Sequence, residues 1–298
     1  MHLDREAASR AIEERIARPL GLDPIEAAWG IHQVVNENMA NAARIHAIER
    51  GKDPRAYPLF AFGGAGPVHA YRVAHALGVP GFVAPLGAGA TSAFGVLCAP
   101  LSFDFARSLY GRLDELDWSG VNGALEEMEV EGREVLRASG VADSDIRVRR
   151  LCEMRYTGQG HEVTVELPGG SLGPGDADRL ATLYRKEYRR LYNREGPDVA
   201  LETLTWRLEV AAPPPEIRLE AEVEEEEAAS GVQKGAREIY LPEEEGFREV
   251  PVYDRYRLGP GAAFTGPAVI EEKESTVILG PEGRAKIDAT RNLIVRWS

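Results

Sequence analysis

The chain has 298 residues, a formal charge of −13 and only two cysteines, Cys98 and Cys152. At ~150 residues per domain this length predicts two domains or one large one. The cysteine count excludes a disulfide scaffold and a four-cysteine zinc site, and it fits a reducing, cytoplasmic compartment. Eleven glutamates stand among residues 216–245 against Arg218, Lys234 and Arg237, so most of the acidity is local. No basic stripe points to nucleic acid or to an anionic membrane, and the charged start MHLDREAASR lacks the apolar run of a signal peptide.

In chain order, residues 4–18 read as a helix with Leu3, Ala7, Ala11, Ile12 and Ile16 on one face and Pro19 as its stop. A second helix is expected from Pro24 to Arg50, with Asp23 as N-cap and Gly51 past its end. Its apolar stripe is Ile31, Val34, Val35, Met39, Ala42 and Ile45, which predicts that Asn36 and Asn38 lie on the solvated face. Next, Pro58–Phe62 reads as a short strand and Val68–Leu77 as a helix ended by Gly78. Gly81–Ala84 reads as a second strand, parallel to the first because the crossover is long. The stretch from Ala76 to Phe103 carries no charge, but its glycines and prolines break any membrane helix, leaving buried strand, loop and short helix. Ser119 is the expected cap of a helix ending at Gly140. Arg147–Tyr156 and His161–Leu167 suit a hairpin, Asp176–Tyr192 a tyrosine-rich helix and Ala200–Val210 a strand. After Pro213-Pro-Pro215 and the glutamate run, short strands are expected at 249–254, 268–272, 276–279, 285–288 and 292–297. The corresponding domain expectation is 1–110, 111–215, an acidic linker or mobile insertion at 216–235, and a β-rich unit at 236–298.

Between the strand at 58–62 and the following helix lies Gly63-Gly64-Ala65-Gly66. Glycines let a ligand approach the backbone, and free amides at a helix start attract phosphate or a polar ring edge. A tight turn for strand–helix packing explains the same residues. The spacing matches neither the dinucleotide fingerprint nor a P-loop. His69, in the first turns of that helix, suits either a ligand contact with acid–base work or a structural role. No metal-ligand spacing is present, and neither cysteine has a basic neighbour in sequence.

Taken together, the motifs resemble one family. Leu59-Phe-Ala-Phe-Gly-Gly-Ala-Gly-Pro-Val-His-Ala70 resembles the signature of the hydantoinase A/5-oxoprolinase family. Val34–Ala40, Arg50–Arg55, Gly87–Leu97, Arg155–Gln159 and Gly266–Thr276 resemble its other motifs in order, over nearly the whole chain. The resemblance implies an α/β fold, with part of an actin/Hsp70-like ATPase lobe followed by an α+β region and a small β-rich C-terminal unit. It implies that Gly63, Gly64, Ala65 and Gly66 lie against the adenosine of ATP; His69, by its place at the start of the helix after that loop, is the candidate catalytic residue. Members use ATP to activate a lactam or imide carbonyl for ring opening, and relatives activate ketones for carboxylation.

Family members open with an Asp-Val-Gly-Gly-Thr-Phe-Thr-Asp phosphate-binding segment that this sequence lacks. ATP phosphates and Mg²⁺ are therefore expected on an N-terminal half, and the chain is expected to be a fragment or the product of a split gene. The expected partners are that half or a hydantoinase B-like companion subunit, with homo-oligomerisation. An acetone-carboxylase-like subunit and a non-catalytic assembly subunit are the alternative readings.

Overall fold

The computed structural model describes residues 4–217 and 232–297, which divide into two compact units, 1–94 with 221–298 and 95–220. The elements are α1 (Arg5–Ile12), α2 (Arg18–Leu20), α3 (Pro24–Glu49), β1 (Leu59–Phe60), α4 (Gly66–Leu77), β2 (Gly81–Ala84), α5 (Thr91–Cys98), β3 (Ser102–Arg112), α6 (Trp118–Ala138), β4 (Arg147–Tyr156), β5 (Val163–Glu166), α7 (Ala177–Tyr192), β6 (Leu201–Ala211), β7 (Gln233–Leu241), β8 (Gly246–Asp254), β9 (Ala263–Thr265), β10 (Ala268–Glu271), β11 (Thr276–Leu279), β12 (Arg284–Ile287) and β13 (Leu293–Arg296). No described helix is long and apolar enough to cross a membrane.

In the first unit the helix after Asp4 passes through a π-helical stretch, Glu13–Ala17, and runs past Pro19 to Leu20. Gly21, at φ +68°, ends it with the left-handed residue that a β-carbon disfavours. Asp23 caps α3 as expected, its Oδ1 accepting from the amides of Ile25 at 2.8 Å and Glu26 at 3.4 Å. The face of α3 differs from the sequence reading. Ala27, Asn36 and Ala40 are buried, whereas Val34 is 61% exposed and Ile45 58%. Ile31, Val35 and Met39 are exposed as well. Small residues at 40 and 43 let α3 approach α4, so the inward face carries little apolar bulk and the large side chains point outward.

Two sheets complete this unit. One has the order β1-β2-β13-β12-β9, the other β11-β10-β8-β7. β1 and β2 pair in parallel, as the crossover length requires. β2 then pairs antiparallel with β13, so the expected independent β-rich unit at 236–298 shares a sheet with the start of the chain. The core gathers Tyr71, Leu77 and Phe82 with Ile270, Leu279, Ile287, Leu293 and Val295. Of the expected acidic linker, 218–231 lie outside the described residues, and Gln233–Gly235 belong to β7.

The second unit is a four-stranded antiparallel sheet, β3-β6-β4-β5, with α6 on β6 and β3 and α7 on β5. Its core holds Leu125, Met128, Leu136, Cys152, Met154, Leu180, Tyr184 and Trp206. Gly132 brings α6 close to the sheet, since a Cβ there would lie 2.7 Å from Val210 Cγ2. The cap of α6 is Asp117 rather than Ser119, because its Oδ1 accepts from the amides of Ser119 and Gly120 at 3.1 Å. The hairpin β4–β5 forms as read, with Leu151 opposite Glu166.

Close packing around Tyr71 gives a direct test. A Cβ on Gly280 would sit 2.2 Å from Tyr71 Cε1, and Tyr71 is only 3% exposed and packs edge-on against Trp297 at 5.9 Å. Gly280→Ala should therefore destabilise the chain by about 1–3 kcal/mol in urea unfolding. Gly259→Ala, with nothing within 4 Å of its Cβ, is the control and should leave the midpoint unchanged. Equal midpoints for the two variants would show that this interface is not tightly packed.

Candidate functional site

The site forms where β1 leaves the sheet. The Ala61 amide still donates to Val83 O at 2.8 Å, and the chain then turns through Gly63, at φ +85°. Only glycine adopts that conformation cheaply. The Gly63 amide donates to Ala88 O at 2.7 Å. Gly64 and Ala65 are exposed, and among the described residues their amides have no protein acceptor. Ala65 is also the N-cap of α4 and offers no side-chain acceptor to the first turn. An uncapped helix start presents unfilled amides and the positive end of the helix dipole.

Three segments of the first unit meet at this loop. A Cβ on Gly64 would stand 3.4 Å from Glu274 O, and one on Gly89 would stand 2.7 Å from the same oxygen. Ser275 is buried, with Oγ 3.5 Å from Gly63 O. Gly63–Gly66, Gly87–Ala90 and Glu272–Ser275 thus form one surface. Sequence reasoning attached no role to 272–275, although the segment lies inside the quoted Gly266–Thr276 motif. The available signal was its run of four polar residues between two apolar strands.

His69 is held on its α3 side. Its Nδ1 lies 2.8 Å from Asn36 Oδ1. An amide oxygen only accepts, so Nδ1 carries the proton and Nε2 is the free acceptor of the neutral ring. The ring also stacks on His32, with centroids 4.8 Å apart and planes at 20°. This explains the burial of Asn36, which periodicity alone assigns to solvent. Burial lowers the pKa of both histidines, and the charges of His69 and Arg72 lower that of His32 further. Beside them a cavity of about 320 Å³ is lined by Trp29, His32, Tyr71, Arg72, Tyr240 and Phe247. Arg72 lies over the Trp29 ring at 5.2 Å and pairs with Glu243.

The second unit has its own open pocket of about 720 Å³, with Tyr156, Gln159, His161, Tyr188 and Arg194 in its walls. Tyr156–Gln159 of the Arg155–Gln159 motif line it, and Tyr184 donates its hydroxyl proton to Gln159 Oε1 at 3.2 Å. Among the described residues no three His, Cys, Asp or Glu side chains converge as a metal site.

Comparison with known proteins shows the family. Residues 1–105 match the hydantoinase/oxoprolinase family, and residues 116–296 match the hydantoinase/oxoprolinase C-terminal domain. The caprolactamase subunit alpha of Pseudomonas jessenii is 31% identical over 97% of this chain and 42% of its own length. The acetone carboxylase beta subunit of Xanthobacter autotrophicus is 27% identical over 94% of this chain and 40% of its own. The crystal structure of the ATP-dependent caprolactamase from Pseudomonas jessenii superimposes with a TM-score of 0.74 at 30% identity, covering 99% of this chain and 43% of that one. The chain spans about two fifths of the length of these relatives. With matches over both units and a shared fold, the chain belongs to the hydantoinase/oxoprolinase family.

Proposed function

We propose that this chain is the C-terminal part of an ATP-dependent cyclic-amide hydrolase and supplies the adenosine side of its nucleotide cleft, within a partial actin-like lobe. The observation that carries this reading is the exposed Gly64–Ala65 backbone at the uncapped start of α4. The amides fit a polar ring edge, and the lack of side chains admits a flat ligand. ATP, when bound, supplies the phosphoryl group that makes an amide oxygen a better leaving group. This chain's part is to bind and orient the nucleoside end. The phosphates and Mg²⁺ are assigned to an N-terminal half, because the Asp-Val-Gly-Gly-Thr-Phe-Thr-Asp phosphate-binding segment of the family is not in this sequence. The name of the Xanthobacter relative supports a second reading, in which the same cleft serves carboxylation of a ketone.

The outward stripe of α3 supports a partner. Ile31, Val34, Ile45 and Ile48 are each at least 41% exposed and fall within about 100° of one helix face, and apolar surface of this kind marks an interaction face. The completing polypeptide, whether N-terminal half or companion subunit, is the occupant assigned to it.

Catalysis of phosphoryl transfer rests on phosphate and metal positioning. The chain alone should therefore bind ATP weakly by calorimetry and show no Mg²⁺-dependent turnover. Gly64→Val, at unchanged melting temperature, should weaken that binding at least about tenfold, or ~1.4 kcal/mol. Unaltered binding by a folded Gly64→Val would make the loop a packing turn only, and robust turnover by the chain alone would place the phosphate site here.

His69 is assigned as the residue that locks α4 to α3 in its neutral form, with Nε2 left for a ligand contact. Both stacked histidines have folded pKa values below the ordinary ~6.5. The unfolded chain then binds more protons as the pH falls below that value. Their contribution is complete above about pH 6.5 and is lost as the pH drops toward the folded pKa. Urea midpoints should decline as the pH falls below about 6.5, and His32→Phe should flatten that decline. An identical pH slope in wild type and variant would remove the pair from this role.

A further inference from the structure

The buried carboxylate of Glu272 stands behind the glycine loop without touching it. It accepts from the Gly87 amide at 3.2 Å and from the Ala88 amide at 3.0 Å, one oxygen to each. Gly87 is in the left-handed region at φ +71°, so this turn is one that few residues adopt unaided. The carbonyl of Ala88, the residue held by Glu272, then accepts the Gly63 amide at 2.7 Å. Thr91 Oγ1 adds a 3.3 Å bond to Gly87 O from the far side of the turn.

A cation sits on the other side of Glu272. Arg255 Nε lies 3.7 Å from Glu272 Oε1, and the two side chains are 1% and 6% exposed. Arg255 also donates from Nη2 to Arg291 O, while its Nε and Nη1 find no acceptor among the described residues. The arginine thus faces Glu272 as a charge rather than as a bonded partner. At this distance it compensates the buried charge and leaves both oxygens to the backbone.

We infer that Glu272 is a positioning residue for the nucleotide loop, acting through the Gly87–Ala88 turn, with Arg255 as the counter-charge that lets the carboxylate stay buried. This rests on the adenosine reading of Gly63–Gly66. The relay is continuous: Arg255 to Glu272, Glu272 to the Ala88 amide, Ala88 carbonyl to the Gly63 amide, and Gly63 to the exposed Gly64–Ala65 backbone. Preorganising backbone donors in this way avoids the cost of ordering them when ligand arrives.

The test uses Glu272→Asp on the chain as it is. Aspartate keeps the charge opposite Arg255 but withdraws the oxygens from the turn, whereas Glu272→Gln keeps the reach and halves the acceptors. Amide exchange at Gly63 and Ala88 is read by NMR, with Trp206 in the other unit as reference, and ATP affinity is read by calorimetry. The expected result is exchange at Gly63 at least about tenfold faster in Glu272→Asp, an unchanged rate at Trp206, and ATP affinity down by a similar factor. Glu272→Gln should fall between wild type and Glu272→Asp. Unchanged exchange at Gly63 would overturn the relay. Faster exchange with unchanged ATP affinity would overturn its role in nucleotide binding. Wild-type chain that binds no ATP would instead overturn the adenosine reading on which the inference stands.

Discussion

The antiparallel pairing of β13 with β2 is the constraint on which the first unit depends. Leu293 lies opposite Ala84 and Arg296 opposite Gly81, so the end of the sequence closes onto a strand more than two hundred residues earlier. The approach is tight: a Cβ on Gly81 would lie 2.1 Å from Val295 O, and no side chain fits there. Burial of Phe82, Leu293 and Val295 holds the contact shut. Because β12 and β9 continue the same sheet, the C-terminal strands are part of the body that carries the glycine loop. Glu272–Ser275, between β10 and β11 of the second sheet, meets Gly63 and Gly89 in the same unit.

Within this frame the surface at Gly63–Gly66 is built from backbone, and its side-chain support lies behind it. Gly64 and Ala65 are exposed, while on the buried side Ser275 Oγ lies against Gly63 O and Glu272 holds the adjoining Gly87–Ala88 turn. The His69–Asn36 contact fixes the helix that follows, using the neutral ring that burial favours. A nucleoside end needs such a shaped, donor-rich backbone, whereas transfer of its phosphoryl group needs charges that this surface does not present. That difference is the physical ground for the proposal that other polypeptide supplies the phosphate site.

Much of this was legible in the sequence, and the exceptions have identifiable causes. The parallel β1–β2 pair with its crossover helix was readable because Gly63–Gly66, Pro67 and Gly78 punctuate it. The inward face of α3 was misread because periodicity follows bulk: alanines and one asparagine pack against α4, and the branched side chains point away. β3 escapes the sequence reading although Phe103, Phe105 and Leu109 pack on the core, because its other residues are mostly exposed and a register shift between Ser108 and Gly111 interrupts the alternation. β7 was hidden by composition. Its residues from Gln233 to Glu238 are polar or small and exposed, and pairing with β8 alone makes them a strand. The roles of Glu272 and Arg255 have no local signature, because the turn they support is about 185 residues away in sequence. The glycine loop itself was found, and what remained open there was whether it serves a ligand or only packing.

The most direct measurement is a titration of the isotopically labelled chain with ATP, followed by the backbone amide resonances. The account predicts that the largest shifts fall on Gly63, Gly64, Ala65 and Gly66, with smaller ones at Ala88 and Ser275, and that adenosine alone reproduces the pattern. Shifts centred on the Tyr156, Gln159 and Tyr188 pocket, or none in the glycine loop at millimolar nucleotide, would contradict it.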